Sequence, residues 1–239
     1  PIDLSDYLDL VTLGTVADIV PLRGENRLIV KKGIKYLSQT KRIGIKKLMD
    51  VSGINCQQIN THDIGFKIAP KLNAVGRLES AYAALELLLS ENEEEANKIA
   101  NYLSQQNTKR QEIENQIYRE AEHLLESNEE FLKLPVIVLA KENWHPGVIG
   151  IVSSRLSAKY YKPTLMISLD NEEKVGRGSA RSIEQVNIME LFGSISWLFK
   201  EYGGHPMAAG FTVDIDKINQ VRKDITNSYY KLYGPEGFT

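Results

Sequence analysis

Two glycine-rich runs in the sequence carry residue types suited to holding a phosphate. They are Gly176-Arg177-Gly178-Ser179-Ala180-Arg181-Ser182 and Gly203-Gly204-His205-Pro206-Met207-Ala208-Ala209-Gly210. Glycine lets a backbone approach a ligand closely, and amide N–H groups together with a guanidinium make charge-assisted bonds to phosphate oxygens. The candidate contacts are Gly178, Ser179, Arg181 and Ser182 in the first run and Gly204 and His205 in the second. The plainer reading of each run makes Gly178 and Gly204 strand-end and turn glycines and His205-Pro206 a helix exit. Two such runs in one compact unit weigh toward a pocket for a phosphate end.

Three other places hold chemistry-bearing residues. Asp18 lies among Val16, Ala17, Ile19, Val20 and Leu22. A carboxylate there would be desolvated unless Arg23, Arg27 or a metal ion paired with it. Asn73 and Arg77 belong to Lys71-Leu72-Asn73-Ala74-Val75-Gly76-Arg77-Leu78, which reads as a loop. From it Arg77 either holds a nucleotide backbone or caps the preceding helix. Trp144-His145-Pro146-Gly147 follows an apolar run, at the strand end where open α/β sheets bind ligands. There Trp144 either stacks a base or covers the sheet edge, and His145 can donate to a phosphate.

These residues need elements to position them. The spacing predicts a buried helix from Leu4 toward Pro21, a helix over Asn26–Leu37, a short piece at Ile45–Met49, and a helix capped by Thr61 and ended by Pro70. A helix over Ser80–Leu89 precedes a run without Gly or Pro from about Glu94 to Ser127, on the order of 50 Å long. The middle of that run, Ser104 to Glu112, is polar all round, as expected of a strut crossing solvent between two lobes with a cleft between them. Then come strands at Pro135–Ala140, Pro163–Leu169, Lys174–Ser182 and Met207–Val213. Helices at Pro146–Tyr161, Ile188–Tyr202 and Ile218–Tyr233 alternate with them, giving a mixed-sheet α/β unit.

Composition narrows the classes. The chain has 239 residues, 42% hydrophobic and 25% charged, with a formal net charge of -2. Those are ordinary globular values, and they exclude a uniformly basic nucleic-acid binder, so phosphate contacts must come from local patches. The single cysteine, Cys56, excludes an internal disulfide and a four-thiolate zinc site. With no apolar run long enough to span a bilayer, the expectation is a cytoplasmic protein. Pro1 stands where a Met would open a complete chain, which suggests a piece of something longer.

Taken in order, five stretches resemble the RecJ single-strand-specific DNA exonucleases of the DHH phosphoesterase superfamily. They are Asp9-Leu10-Val11-Thr12-Leu13-Gly14-Thr15-Val16-Ala17-Asp18-Ile19-Val20-Pro21-Leu22, Pro70 to Leu78, Trp144 to Ile151, Gly178 to Ser182 and Gly203 to Gly210. The resemblance implies an α/β fold in three parts: the helical remainder of a DHH lobe over 1–92, a long connecting helix over 93–130, and a mixed-sheet DHH-associated, substrate-binding lobe over 131–239. It implies 5′-to-3′ degradation of single-stranded DNA to 5′-mononucleotides in repair and recombination. Paired Mn²⁺ or Mg²⁺ ions would activate water for in-line attack. A helicase and a single-strand-binding protein are partners by family analogy, and no membrane is involved.

Carried across by motif, Asp18 matches the last acidic metal ligand, replacing the Arg-paired reading. Arg181 and Ser179 match the residues that hold the 5′-terminal phosphate, and His205 matches the histidine of the Gly-Gly-His motif. Asn73 and Arg77 match a loop facing the nucleic acid, and Trp144 and His145 fall in the substrate cleft. The Asp-x-Asp and Asp-His-His ligands of the family are absent and would lie before Pro1, so this polypeptide alone is expected to be inactive. An OB-type module is also missing, and Ala180 stands where many relatives have Gly. Two other functions stay open: a DHH phosphodiesterase of short oligonucleotides or cyclic dinucleotides, and a non-catalytic scaffold that binds single-stranded DNA.

Overall fold

The computed structural model describes residues 4–128 and 130–234; Pro1 lies outside them. The chain forms two compact units, Pro1–Gln111 and Glu112–Thr239. The division falls inside one continuous helix, α7, of 35 residues from Glu93 to Ser127.

The described part of the first unit is helical: α1 (Leu8–Ala17), α2 (Gly24–Ser38), α3 (Ile43–Asp50), α4 (Thr61–Asp63), α5 (Ala69–Leu78), α6 (Tyr82–Leu89) and the start of α7. Leu13, Leu37, Ile45, Leu48, Ile68 and Leu87 are among the side chains that meet in its core. The approach of α2 to α1 depends on Gly33, where a Cβ would come within 1.6 Å of Thr12 Oγ1 and 2.8 Å of Leu8 O. Near the start of α1 the buried Asp9 accepts a hydrogen bond from Thr40 Oγ1 at 2.7 Å and pairs with Arg42 Nε at 3.2 Å. That supplies the partners a buried carboxylate requires.

Four local expectations are corrected here. The cap of α4 is Asn60 rather than Thr61: Asn60 Oδ1 accepts from the Asp63 amide at 3.1 Å, and Asp63 Oδ2 accepts from the Asn60 amide at 3.3 Å. Pro70 does not end the helical run. A π turn, Ile64–Ile68, precedes it, and Pro70 sits in the first turn of α5, where a missing N–H costs little. Residues 71 to 78 are therefore helix, not loop. The polar middle of α7 also departs from a strut exposed on all sides, because Asn107 is 8% exposed and accepts from Arg110 Nη2 at 3.1 Å.

The second unit bears out the α/β reading. It adds α8 (Glu130–Lys133), β1 (Ile137–Glu142), α9 (Pro146–Tyr160), β2 (Thr164–Asp170), β3 (Val175–Arg181), α10 (Ile188–Ser194), β4 (Phe199–His205), β5 (Ala208–Asp214) and α11 (Ile218–Tyr233). The sheet order is β1-β2-β3-β5-β4, with β1 and β2 parallel and the remaining pairs antiparallel. The expected helix over Ile188–Tyr202 stops at Ser194. After a short 3-10 turn the chain enters β4, which pairs with β5 in a hairpin turned by Pro206 and Met207.

One sheet face packs against α10 and α11 through Val138, Ile167, Phe192, Phe211, Val213, Ile225 and Tyr229. The other carries α9 over β2 and β3, with Val148, Ile149, Val152 and Leu156 buried. The C-terminal part of α7 is fastened to α9 by ion pairs. Glu114 pairs with Arg155 Nη1 at 2.9 Å, Glu122 pairs with Lys159, and the Arg155 guanidinium lies 3.9 Å from the centre of the Tyr118 ring.

Candidate nucleic-acid interface

Alternation along β3 sends Arg177, Ser179 and Arg181 to one face of the sheet, and residues opposite in register share that face. Three rows result. Thr164, Arg181, Ala208 and His205 form the first; Met166, Ser179, Gly210 and Gly203 the second; Ser168, Arg177, Thr212 and Glu201 the third. Helix α9 covers this face over β2 and β3, where Ser153 Oγ donates to Thr164 O at 2.6 Å. Over β5 and β4 the face is open, with Gly203, His205 and Gly210 exposed. A Cβ at Gly203 would meet nothing within 4 Å, and one at Gly210 only Gly178 O at 4.0 Å, so among the described residues no side chain covers the floor at these two glycines.

Arg181 borders that floor in a fixed pose. Its Nη1 donates to Ser179 Oγ at 3.0 Å and to Ala180 O at 2.8 Å. Gly150 of α9 makes room for the pair, since a Cβ there would stand 2.8 Å from Ser179 Oγ and 3.1 Å from Arg181 Nη2. The guanidinium thus lies beside the N-terminal part of a helix of 15 residues. Helix N-termini carry partial positive charge, so a cation held there is relieved by an anion that neutralises both. His145 is the N-cap of α9, and its Nδ1 accepts from the Gly147 amide at 3.2 Å. That assignment places a neutral ring's proton on Nε2. His205 lies in the same row as Arg181, two strands away, about 10 Å by strand spacing.

Four residues expected to contact a ligand have structural duties in the fold. The missing Cβ of Gly178 accommodates the Phe211 ring, whose Cζ would be 2.1 Å away, on the opposite face of the sheet. Ser182 is 8% exposed and donates its hydroxyl to Val186 O at 2.6 Å. At Gly204 a Cβ would strike Ala208 O at 2.2 Å, so this glycine serves the hairpin. Trp144 is 2% exposed and cannot stack a base; its Nε1 donates to Glu120 Oε2 at 2.9 Å. Glu120 also accepts from Gln116 at 3.0 Å and pairs with Lys141 at 2.9 Å. The Gln116 amide, Lys141 and the indole N–H, against a smaller opposing effect of burial, hold the Glu120 carboxyl down at about 2. This latch fixes the turn that presents His145, with Asn143 in left-handed backbone at φ 62°.

The remaining predicted site residues belong to the first unit. Asp18 is exposed, which corrects the expected apolar burial. Helix α1 ends at Ala17, and Ile19 turns left-handed at φ 57° and is 88% exposed, carrying this corner into solvent. Asn73 and Arg77 are exposed, one turn apart on α5. Asn73 lines an apolar pocket of about 330 Å³ together with Gly14 and Ala17, next to Asp18. Nearby on the same helical run, burial and then the charge of Lys67 lower the ammonium of Lys71. Among the described residues no group of three or more His, Cys, Asp or Glu side chains could hold a metal ion. Asp18 alone does not make a divalent-ion centre, which needs several oxygen ligands.

Arg177, Gly150 and Glu120 are not among the contacts expected from the sequence. A glycine inside a helical pattern signals close packing and marks Gly150. A lone glutamate on a long helix carries no signal.

A DHHA1 domain family matches residues 133–230. The RecJ single-stranded-DNA-specific exonuclease of Bacillus subtilis is 41% identical over 217 residues, 91% of this chain and 27% of that protein. That of Escherichia coli is 36% identical, covering 90% of this chain and 38% of that protein. Over nearly all of its length this chain is similar to RecJ proteins. A crystal structure of RecJ with Mg²⁺ from Thermus thermophilus superposes with a TM-score of 0.84 at 29% identity, over 98% of this chain and 36% of that one. Another RecJ structure, bound to manganese, gives 0.82 at 31% identity and covers 97% of this chain and 56% of the other. The chain thus spans about a quarter to two fifths of the curated RecJ proteins it matches here. Among the described residues no helix is long and apolar enough to cross a membrane.

Proposed function

We propose that this chain is part of an exonuclease that removes nucleotides from the 5′ end of single-stranded DNA, and that its second unit receives the phosphorylated end. The observation that carries the reading is Arg181, held over Ser179 beside the N-terminal part of α9 and facing a floor that stays empty at Gly203 and Gly210. The RecJ relatives are named as single-stranded-DNA-specific exonucleases, and their solved structures hold Mg²⁺ or manganese. Ser179, Arg181, His145 and His205 contribute the terminal-phosphate contacts. Arg77 and Asn73 contact the strand from α5, and Asp18 is one ligand of a divalent-metal centre completed by other residues of the whole protein. When bound, such ions supply the charge stabilisation and activated water for phosphodiester hydrolysis. A polypeptide of these residues alone has one assigned ligand and does not hydrolyse DNA.

Incubating the full-length protein with a long 5′-phosphorylated strand and with di- and trinucleotides tests the reading. Stepwise shortening of the long strand, blocked by Asp18→Asn, is the expected result. Turnover confined to the shortest substrates would replace it with a short-oligonucleotide phosphodiesterase, and binding without turnover with a silent scaffold.

A further inference from the structure

Arg177 continues the outward row of β3 past Ser179 and Arg181, and it is exposed. Among the described residues it has no ion pair or hydrogen-bond partner for its side chain. Residues along a strand rise about 3.3 Å each, so Arg177 and Arg181 stand about 13 Å apart on one border of the open floor. A stacked single strand rises about 3.4 Å per nucleotide, so it bridges that separation within about four nucleotides, and an extended strand needs fewer. Glu201, in the same row on the far strand, accepts from Thr212 Oγ1 at 2.9 Å. Its charge repels a phosphate at the outer edge and leaves the β3 border as the favourable track.

We infer that Arg177 is a second phosphate contact, engaging an internal backbone phosphate of the strand whose terminal phosphate Arg181 holds. The inference rests on the terminal-phosphate reading of Arg181. An internal contact of this kind is indifferent to base identity and to 5′ phosphorylation, and a ligand too short to span the floor cannot make it.

The test measures anisotropy of 3′-labelled oligothymidylates on the 239-residue chain. A 5′-phosphorylated dinucleotide and a strand of about twelve nucleotides are compared across a KCl series, for the unmodified chain, Arg177→Ala and Arg177→Lys. Arg177→Ala is expected to weaken the long strand about three- to tenfold. It should also reduce the slope of log affinity against log salt by about 0.7, the value for one single-strand phosphate. Dinucleotide binding should be unchanged, and Arg177→Lys should restore the slope. An unchanged slope and affinity would overturn the inference, as would equal loss on both ligands, which would put Arg177 in the terminal pocket. Failure of the underlying reading shows separately, as no preference for a 5′-phosphate in the unmodified chain.

Discussion

Replacing Glu120 with Gln should unfasten the turn that presents His145, and pH reveals whether charge is what fastens it. A fall of the Glu120 carboxyl from its ordinary 4.5 to about 2 corresponds to at most about 3 kcal/mol. The side chain is 27% exposed, and solvent screening reduces this to about 1 to 2 kcal/mol. The folded-state value lies below the unfolded one, so this stabilisation is complete above about pH 5 and is lost as pH falls toward 2. Gln keeps one acceptor for the indole N–H, removes the charge, and puts an amide donor where Glu120 Oε1 accepts from Gln116, whose own amide can turn to offer its oxygen. Trp144 is buried while Trp197 is 67% exposed, so a Trp197→Phe background makes Trp144 the sole tryptophan reporter. Urea unfolding followed by Trp144 fluorescence should show Glu120→Gln destabilised by about 1 to 2 kcal/mol at pH 7, with the gap reduced to about a quarter of that at pH 2.5. An equal gap at both pH values, or none at pH 7, would refute the charge-based latch.

Gly150→Ala places a Cβ 2.8 Å from Ser179 Oγ and 3.1 Å from Arg181 Nη2, both movable side-chain atoms. Stability should change by less than about 1 kcal/mol, because the alanine gains helix propensity, while preference for a 5′-phosphate over a 5′-hydroxyl end falls in an anisotropy titration. Gly33→Ala meets Thr12 Oγ1 at 1.6 Å and the Leu8 carbonyl at 2.8 Å, the latter backbone that cannot step aside. A loss of about 1 to 3 kcal/mol in urea unfolding is expected despite the better helix former.

Much of the architecture was legible because its signals are local. Ile218–Tyr233 keeps the boundaries its spacing predicts, and the long helix begins one residue before its expected start. Ile188, Leu191, Phe192, Ile195, Leu198, Phe199 and Tyr202 keep helical spacing throughout, yet the chain leaves the helix at Ser194. Pairing of Phe199–His205 with β5 and packing of Phe199 against Phe192 and Phe211 override the periodicity, and no local signal reports them. Pro70 misled in the opposite sense, because a π turn ahead of it lets the helical run continue.

The candidate site was legible as chemistry and less so as geometry. Residue types drew attention to Ser179, Arg181 and His205, but a motif cannot say which face of a strand each residue occupies. Gly178 and Arg181 belong to the same run, and one packs under Phe211 while the other borders the open floor. Trp144 invited a stacking role, and only its 2% exposure and its bond to Glu120 show it to be a brace.

The central claim is that a guanidinium on β3 holds a terminal phosphate, and comparing otherwise identical strands with 5′-phosphate and 5′-hydroxyl ends tests it most directly. The phosphorylated strand should bind about tenfold or more tightly, the scale of a charge-assisted hydrogen bond, and Arg181→Ala should remove most of that preference. Equal affinity for the two ends in the unmodified chain would contradict the account.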